Sequence, residues 1–115
     1  MASILVKKAD RVRHENSPAC IAYEYLLGDN DIDVAIIEIN GRYPEHGLAA
    51  NEAVKELCLV VSGAGKIVIE GKETGLGEGD AVIILSKEKY FFDGNLKLAV
   101  SCTPPWHPGQ YRHYD

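Results

Sequence analysis

Two glutamates four residues apart, Glu52 and Glu56, have the clearest capacity for acid–base chemistry in this sequence. On a helical turn, this spacing places both side chains on one face. Two carboxyl groups in a half-buried site repel each other when both are ionised, so one pKa rises and the pair becomes suited to proton transfer. The alternative is a solvated loop in which Lys55 neutralises one of the two carboxylates.

The cysteines do not form a recognisable catalytic or metal-binding motif. The chain has three cysteines, Cys20, Cys58 and Cys102. The odd number and the absence of a CxxC pair disfavour a disulfide framework and a thiolate zinc site. We expect buried thiols that act as small hydrophobic side chains. The sequence also lacks a Ser/His/Asp order, a P-loop and a GxGxxG pattern, so it does not support triad chemistry or nucleotide binding by these motifs.

Length and charge narrow the class of protein. A chain of 115 residues fits one domain, and its net charge of -5 disfavours nucleic acid as a partner, because no basic patch neutralises phosphates. The apolar runs are too short to span a bilayer, and the first ten residues lack the apolar stretch of a signal peptide. We therefore expect a cytoplasmic protein that binds neither nucleic acid nor membrane.

Apolar–polar alternation and β-branched runs predict an all-β domain. The predicted strands are residues 4–7, 20–27, 33–39, 57–62, 66–70, 81–85, 89–92 and 96–101. Turn residues separate them at 27–31, 62–65, 70–73, 77–80 and 93–95. Residues 45–55 predict a short helical turn or an irregular loop. The proline-rich tail, 103–108, predicts an extended arm against the sheet with Trp106 as its anchor.

The span from Gly41 to Gly94 resembles the two sequence motifs of the cupin family. Glu56 followed by six residues and Gly63 matches the second half of the first motif, and Gly41 opens that motif across a longer gap than usual. Gly79 and the aspartate after it match the opening of the second motif. The resemblance implies a single-domain cupin over residues 1–115, a jelly-roll-like barrel (double-stranded β-helix) whose glycines mark hairpin corners.

The same resemblance implies that Glu52, Glu56 and Tyr90 converge inside the barrel as the candidate catalytic groups. Typical cupins hold a metal ion with three histidines and one glutamate. Here the histidine places are taken by Ala50, Glu52 and Tyr90, so only Glu56 remains as a usual ligand. A transition metal prefers several imidazole or thiolate donors, and we therefore expect no bound metal and no other cofactor.

Further candidates for ligand binding surround this trio. If Tyr90 faces inward, strand alternation also places Phe92 inward and Phe91 outward. The rings of Tyr43 and Trp106 are candidates for the rim of the pocket, where aromatic side chains bind small ligands well. Core packing is the alternative for both.

Two histidines are also candidate ligand contacts. His46 precedes the loop that carries metal ligands in the family, and His107 lies in the arm that can fold over the barrel mouth. Exposure on a loop, or packing of the arm, is the plainer alternative for each. His14 and His113 are expected at the surface.

These observations favour a protein that binds a small organic molecule in its barrel. As an enzyme it would be a metal-independent isomerase, epimerase or lyase, with Glu52 or Glu56 as base and Tyr90 as polar partner. The alternatives are a non-catalytic binding or sensor module, and a metal-dependent cupin with an atypical ligand set of Glu52, Glu56, His46 and His107. We also predict a homodimer, with the strand at 4–7 crossing to the partner because it would otherwise be an unprotected edge.

Overall fold

The computed structural model describes residues 4–115 and is built almost entirely of β-strands, which confirms the predicted all-β class. The nine strands are β1 (Val12–Ser17), β2 (Cys20–Tyr25), β3 (Val34–Tyr43), β4 (Leu48–Asn51), β5 (Lys55–Ile69), β6 (Lys72–Gly77), β7 (Ala81–Ile84), β8 (Tyr90–Thr103) and β9 (Tyr111–Tyr114). Single 3₁₀ turns lie at Lys8–Asp10 and Pro108–Gln110. Within residues 4–115, no helix has the length and apolar character needed to cross a bilayer.

A single antiparallel sheet curls into a half-barrel around β8. This strand pairs along most of its length with β3 on one side and β5 on the other. β2 and β1 extend the sheet beyond β3, whereas β4 and β9 pair near the start of β8. β6 and β7 pair with opposite halves of β5. The concave face therefore receives side chains from almost every strand.

Alternation along the two long strands fills the inside of the half-barrel. The buried side chains of β8 are those of Tyr90, Phe92, Leu96, Leu98, Val100 and Cys102. On β5 the inward positions include Glu56, Cys58 and Val60, while Leu57 and Leu59 face outward and stay more than 40 % exposed. The strand thus buries a carboxyl group and exposes leucines, which is the reverse of ordinary hydrophobic patterning.

The glycines of β5 and β8 allow the two backbones to approach closely. The prediction of turns at 62–65 and 93–95 is wrong. Both strands continue through these segments, so 57–62 joins 66–70 and 89–92 joins 96–101. Gly65 lies opposite Gly94, where a Cβ on Gly94 would lie 2.5 Å from the Gly65 Cα. A Cβ on Gly63 would lie 2.1 Å from the carbonyl oxygen of Asn95. Glycine is required here for close approach of the strands.

Other predicted turns are confirmed. Glu70 and Gly71 form the two-residue loop between β5 and β6, and both have positive φ, 48° and 79°, as a type I′ hairpin turn requires. The turn before β7 is closed by the Asp80 carboxylate, which accepts a 2.8 Å hydrogen bond from the backbone N–H of Gly77.

Four strands were not predicted, and one predicted strand is absent. Residues 4–7 have no regular structure, with Ile4 and Leu5 exposed. β1, β4, β6 and β9 lack a clear apolar alternation, and β4 lies within the segment expected to be helical or irregular. The tail is an extended arm as predicted. The Asp33 carboxylate joins it to β8, because it accepts hydrogen bonds from the backbone N–H of Trp106 in the arm (2.9 Å) and from that of Cys102 in β8 (2.7 Å).

Candidate active site

A cavity of about 90 Å³ opens on the concave face of the half-barrel. Strands β1, β2, β3, β5 and β8 form its walls together with the arm and the start of β9. Its apolar lining comes mainly from β3 and β8. Its polar and aromatic lining comprises His14, Asn16, Glu24, Asp33, Tyr43, Glu56, Tyr90, Phe92, Trp106 and Tyr111. The cavity is therefore an apolar cup that holds a small number of hydrogen-bonding groups.

Glu56 is a buried carboxyl group in the wall of this cavity, with 7 % of its surface exposed. The Asn51 side-chain N–H donates to its Oε1 (3.2 Å), and the Cys58 thiol donates to its Oε2 (3.3 Å). No basic side chain within residues 4–115 pairs with it. Burial raises the pKa of Glu56, and repulsion from Asp33 adds to the rise, while the two hydrogen bonds oppose it.

Asn51 links Glu56 to the arm, and sequence reasoning missed it. It is fully buried, and its side-chain oxygen accepts hydrogen bonds from the indole N–H of Trp106 (3.0 Å) and the amide of Gln110 (2.9 Å). Because two donors occupy the oxygen, the amide nitrogen must face Glu56. The one available signal was an amide directly after the small residues Ala49 and Ala50, a weak indication of a buried polar position.

Tyr90 brings a hydroxyl group into the same cavity. Its side chain is 4 % exposed, and its ring packs edge-on against Phe92 with 5.8 Å between centroids. No residue in the described part of the chain hydrogen-bonds the Tyr90 hydroxyl, and burial holds the pKa of this phenol well above its usual value. Phe92 also lines the cavity, whereas Phe91 packs outside under the guanidinium of Arg42 at 3.8 Å, as the alternation predicts.

Three aromatic side chains close one side of the cavity. The hydroxyl groups of Tyr43 and Tyr111 lie 3.1 Å apart in a hydrogen bond, and the rings of Trp106 and Tyr111 are tilted with 6.0 Å between centroids. Burial raises the pKa of both tyrosines. Tyr43 and Trp106 were expected here. Tyr111 was not, because the sequence gives no indication that β9 returns beside the cavity.

The cavity belongs to a fold with known relatives. No protein-family model and no curated protein sequence match the chain. In contrast, Streptomyces PAC13 with uridine superposes with a TM-score of 0.88 at 16 % identity, over 99 % of this chain and 92 % of that one. The chain has a cupin fold. PAC13 is described as a nucleoside dehydratase, and its structures with uridine include variants in which a tyrosine or a histidine is replaced.

Two further solved structures agree. KdgF from Halomonas superposes with a TM-score of 0.68 at 14 % identity, over 87 % of this chain and 94 % of that one. Oxalate decarboxylase from Bacillus subtilis gives a TM-score of 0.81 at 12 % identity, over 98 % of this chain and 32 % of that chain. Identities this low establish the shared fold and leave the chemistry to the residues of this chain.

The cupin cavity receives Glu56 and Tyr90, but Glu52, His46 and His107 do not line it. Residues 48–51 form a strand, so a helical spacing does not apply, and Asn51 takes the inward place next to Glu56. Glu52 is half-buried outside the cavity, and its backbone N–H donates to the Gln110 carbonyl. The expectation that Glu52 repels Glu56 is wrong, since burial is the main cause of the raised pKa and Asp33 is the repelling carboxylate.

The cavity's donor set does not fit the metal centre of a typical cupin. Among residues 4–115, the one group of three His, Cys, Asp or Glu side chains whose donor atoms lie within 4.8 Å of one another is His46, His113 and Asp115, which are exposed and line no part of the cavity. The atypical set of Glu52, Glu56, His46 and His107 therefore does not assemble. The side chains that contact Glu56 are an amide and a thiol, and neither is the imidazole or thiolate donor that a transition metal prefers.

The three cysteines are buried and free, as predicted. Burial raises the pKa of Cys20 to about 11, and the pKa values of Cys58 and Cys102 are raised by burial and by the nearby Glu56. Each thiol therefore keeps its proton at neutral pH. A protonated thiol is a poor nucleophile, so these cysteines contribute packing and a weak hydrogen bond to Glu56.

Proposed function

We propose that the protein binds a small organic molecule in the cavity and acts on it as a metal-independent lyase, with Glu56 as the group that transfers the proton. The observation that carries the proposal is a buried carboxyl group that lines an open cavity and has no cationic partner among residues 4–115. An apolar site keeps such a carboxyl group protonated at higher pH than usual, which is how proteins prepare a general acid.

The free hydroxyl group of Tyr90 supports binding of a polar ligand. It lines the cavity and has no protein partner among residues 4–115, so a ligand oxygen or nitrogen can hydrogen-bond it without displacing an existing contact. The rings of Tyr43, Trp106 and Tyr111 offer flat surfaces for a heterocycle. Because the enclosed volume of about 90 Å³ is small, a nucleoside-sized ligand would extend to the rim formed by His14 and Glu24.

Dehydration is the lyase reaction that best fits this arrangement. Protonated Glu56 would give its proton to a departing hydroxyl group, so that the carbon–oxygen bond breaks and water leaves. A base on the rim, His14 or Glu24, would take a proton from the neighbouring carbon, whose electron pair forms the new double bond. The structural likeness to PAC13 makes uridine and other nucleosides the first probes.

The test compares Glu56→Gln with Glu52→Gln, a matched loss of one carboxyl group outside the cavity. Nucleosides are screened for binding to the wild-type protein by ligand-observed NMR, and bound molecules are then followed for loss of water by mass spectrometry. We expect Glu56→Gln to retain binding and lose turnover, and Glu52→Gln to retain both. Equal turnover by wild type and Glu56→Gln would overturn the assignment. Binding without turnover of any compound would favour the non-catalytic sensor.

We also propose that the protein is a homodimer that pairs through the outer face of β5 and β7. Five exposed aliphatic side chains line this face, namely Leu57, Leu59, Val61, Ile83 and Leu85. The register places Leu57 beside Ile83, with Ala99 and Ser101 of β8 as further uncharged neighbours. Two copies that each carry a net charge of -5 can meet across such an uncharged patch with least repulsion.

Light scattering tests this assembly. We expect a dimer at micromolar concentration that Leu59→Lys converts to a monomer, while Leu26→Lys, at an exposed leucine elsewhere, leaves it intact. A wild-type protein that runs as a clean monomer would refute the dimer.

A further inference from the structure

Two histidines and an aspartate meet on the outer surface, where the loop between β3 and β4 lies against the end of β9. The His46 Nδ1 is 3.0 Å from the Asp115 Oδ1, and the His113 Nδ1 is 3.8 Å from the same oxygen. The two imidazole rings stand perpendicular with 5.2 Å between centroids. Three potential donor atoms thus face one small volume.

The protonation of His113 is set by the backbone. Its Nε2 lies 2.7 Å from the carbonyl oxygen of His46, and a carbonyl oxygen only accepts hydrogen bonds, so this nitrogen carries the proton. In the neutral ring the lone pair is then on Nδ1, which is the nitrogen that faces Asp115. Metal-binding histidines are commonly oriented in this way, by donating the other ring N–H to a backbone carbonyl.

The backbone also fixes where His46 sits. Gly47 has φ of +70°, and a Cβ there would lie 2.1 Å from the carbonyl oxygen of Tyr114, so the loop packs directly on the backbone of β9. The register pairs Leu48 with Tyr114 and Ala49 with His113. Strand pairing and the glycine contact consequently bring the segments that carry His46 and His113 together, and Asp115 follows directly after β9.

We propose that His46, His113 and Asp115 form a binding site for a divalent transition metal ion of the zinc, nickel or cobalt type. Two imidazoles and a carboxylate are donors that these ions accept. Metal–ligand bonds of about 2.05 Å in a tetrahedral arrangement place neighbouring donors roughly 3.3 Å apart, and the observed 3.0 and 3.8 Å bracket that value. Water would complete the coordination, because His46 and Asp115 are largely exposed.

A bound ion would join the β3–β4 loop to β9. That strand begins at Tyr111, two residues before His113, and the ring of Tyr111 lines the cavity. Occupancy should therefore stabilise this wall of the cavity, as a structural ion rather than as a participant in its chemistry.

The experiment titrates untagged protein with Zn²⁺ by calorimetry and with Co²⁺ by visible absorption. We expect one ion per chain, with affinity weakened about tenfold or more by His46→Ala, His113→Ala or Asp115→Asn. His107→Ala removes an exposed histidine from the arm and serves as the control. Since the three ligands are at the surface, melting of the metal-free variants should match the wild type, which shows that they fold.

Two results would overturn the site. One is Asp115→Asn protein that binds Zn²⁺ as tightly as the wild type. The other is His107→Ala protein that loses as much affinity as His46→Ala, because binding would then be distributed over surface histidines. Addition of Zn²⁺ should also raise the melting temperature of the wild type and of His107→Ala, and leave that of the three ligand variants unchanged.

Discussion

Replacement of Glu56 by glutamine tests whether burial controls the protonation of this carboxyl group. Glutamine has nearly the same shape as a protonated glutamate and keeps an oxygen that can accept the hydrogen bond from Asn51. It cannot ionise. The variant therefore represents the folded protein with its carboxyl group held neutral at every pH, and any pH-dependent difference from the wild type reports the titration of Glu56 alone.

The direction of the effect follows from the raised pKa. In the unfolded chain Glu56 loses its proton near its ordinary pKa of 4.5, whereas burial keeps the folded protein protonated to higher pH. The stabilisation that this group contributes is complete below about pH 4.5 and is lost as the pH rises toward the folded-state pKa. Between those two values, the wild type should lose about 1.4 kcal/mol of unfolding free energy per pH unit relative to Glu56→Gln.

Urea denaturation between about pH 5 and pH 8 measures this slope. The fluorescence of Trp106, the single tryptophan, reports unfolding from the cavity wall itself. The difference in unfolding free energy should widen in favour of Glu56→Gln and become constant once Glu56 ionises in the folded state. Glu52→Gln controls for the loss of one negative charge. Parallel wild-type and Glu56→Gln curves over the whole range would refute the buried-acid reasoning.

Three further substitutions test the packing and the hydrogen-bond network. Gly94→Ala should lower the free energy of unfolding by about 2–4 kcal/mol, because its Cβ would enter the opposite backbone at positive φ. Gly75→Ala, with open space around it, should change this free energy by no more than about 1 kcal/mol. Equal urea midpoints for the two variants would contradict this reasoning. Asn51→Ala should lower the free energy of unfolding by about 2–4 kcal/mol, since it leaves the indole N–H of Trp106 and the buried amide of Gln110 unpaired. A decrease below about 1 kcal/mol would argue against the hydrogen-bond network. Tyr90→Phe should change the free energy of unfolding by no more than about 0.5 kcal/mol, because the hydroxyl group has no partner among residues 4–115. The same variant should bind a nucleoside about tenfold more weakly. Unchanged affinity would show that Tyr90 does not contact the ligand.

The strands that alternation predicted are those with an apolar inner face, such as β3, β7 and the two long strands. β1 and β9 escaped prediction because their residues, VRHENS and YRHY, are mostly polar. As outer strands of the sheet, they owe their conformation to hydrogen bonds with a neighbouring strand, which is the next strand along the chain for β1 and a strand about 60 residues away for β9. The glycines were ambiguous for a different reason. A turn with positive φ and a close backbone crossing both require the absence of a Cβ, so Gly71 and Gly94 look alike in sequence.

The sequence predicted cavity residues where a motif, strand alternation or an aromatic ring near the expected barrel mouth indicated them, as with Tyr43 and Trp106. The glycine spacing led to Glu56 and Tyr90, and alternation added Phe92. Pairing of β4 with β9 brings Tyr111 to the cavity and Asn51 to Glu56, and periodicity does not encode this contact between segments about 60 residues apart. Hydrophobicity alone predicts the wrong orientation for some β5 residues, because the carboxyl group of this strand faces inward and its leucines face outward.

The unbroken course of β5 and β8 through their glycine crossing limits how the protein can move. Apart from a register shift between Val60 and Ser62, both halves of the cup share one hydrogen-bond ladder, so they cannot separate without rupturing it. The segment between Thr103 and Gln110, which a few contacts to Asn51 and Asp33 retain, is the part of the wall that can move without breaking this ladder. The rate of ligand exchange should therefore depend on how firmly these contacts hold the segment.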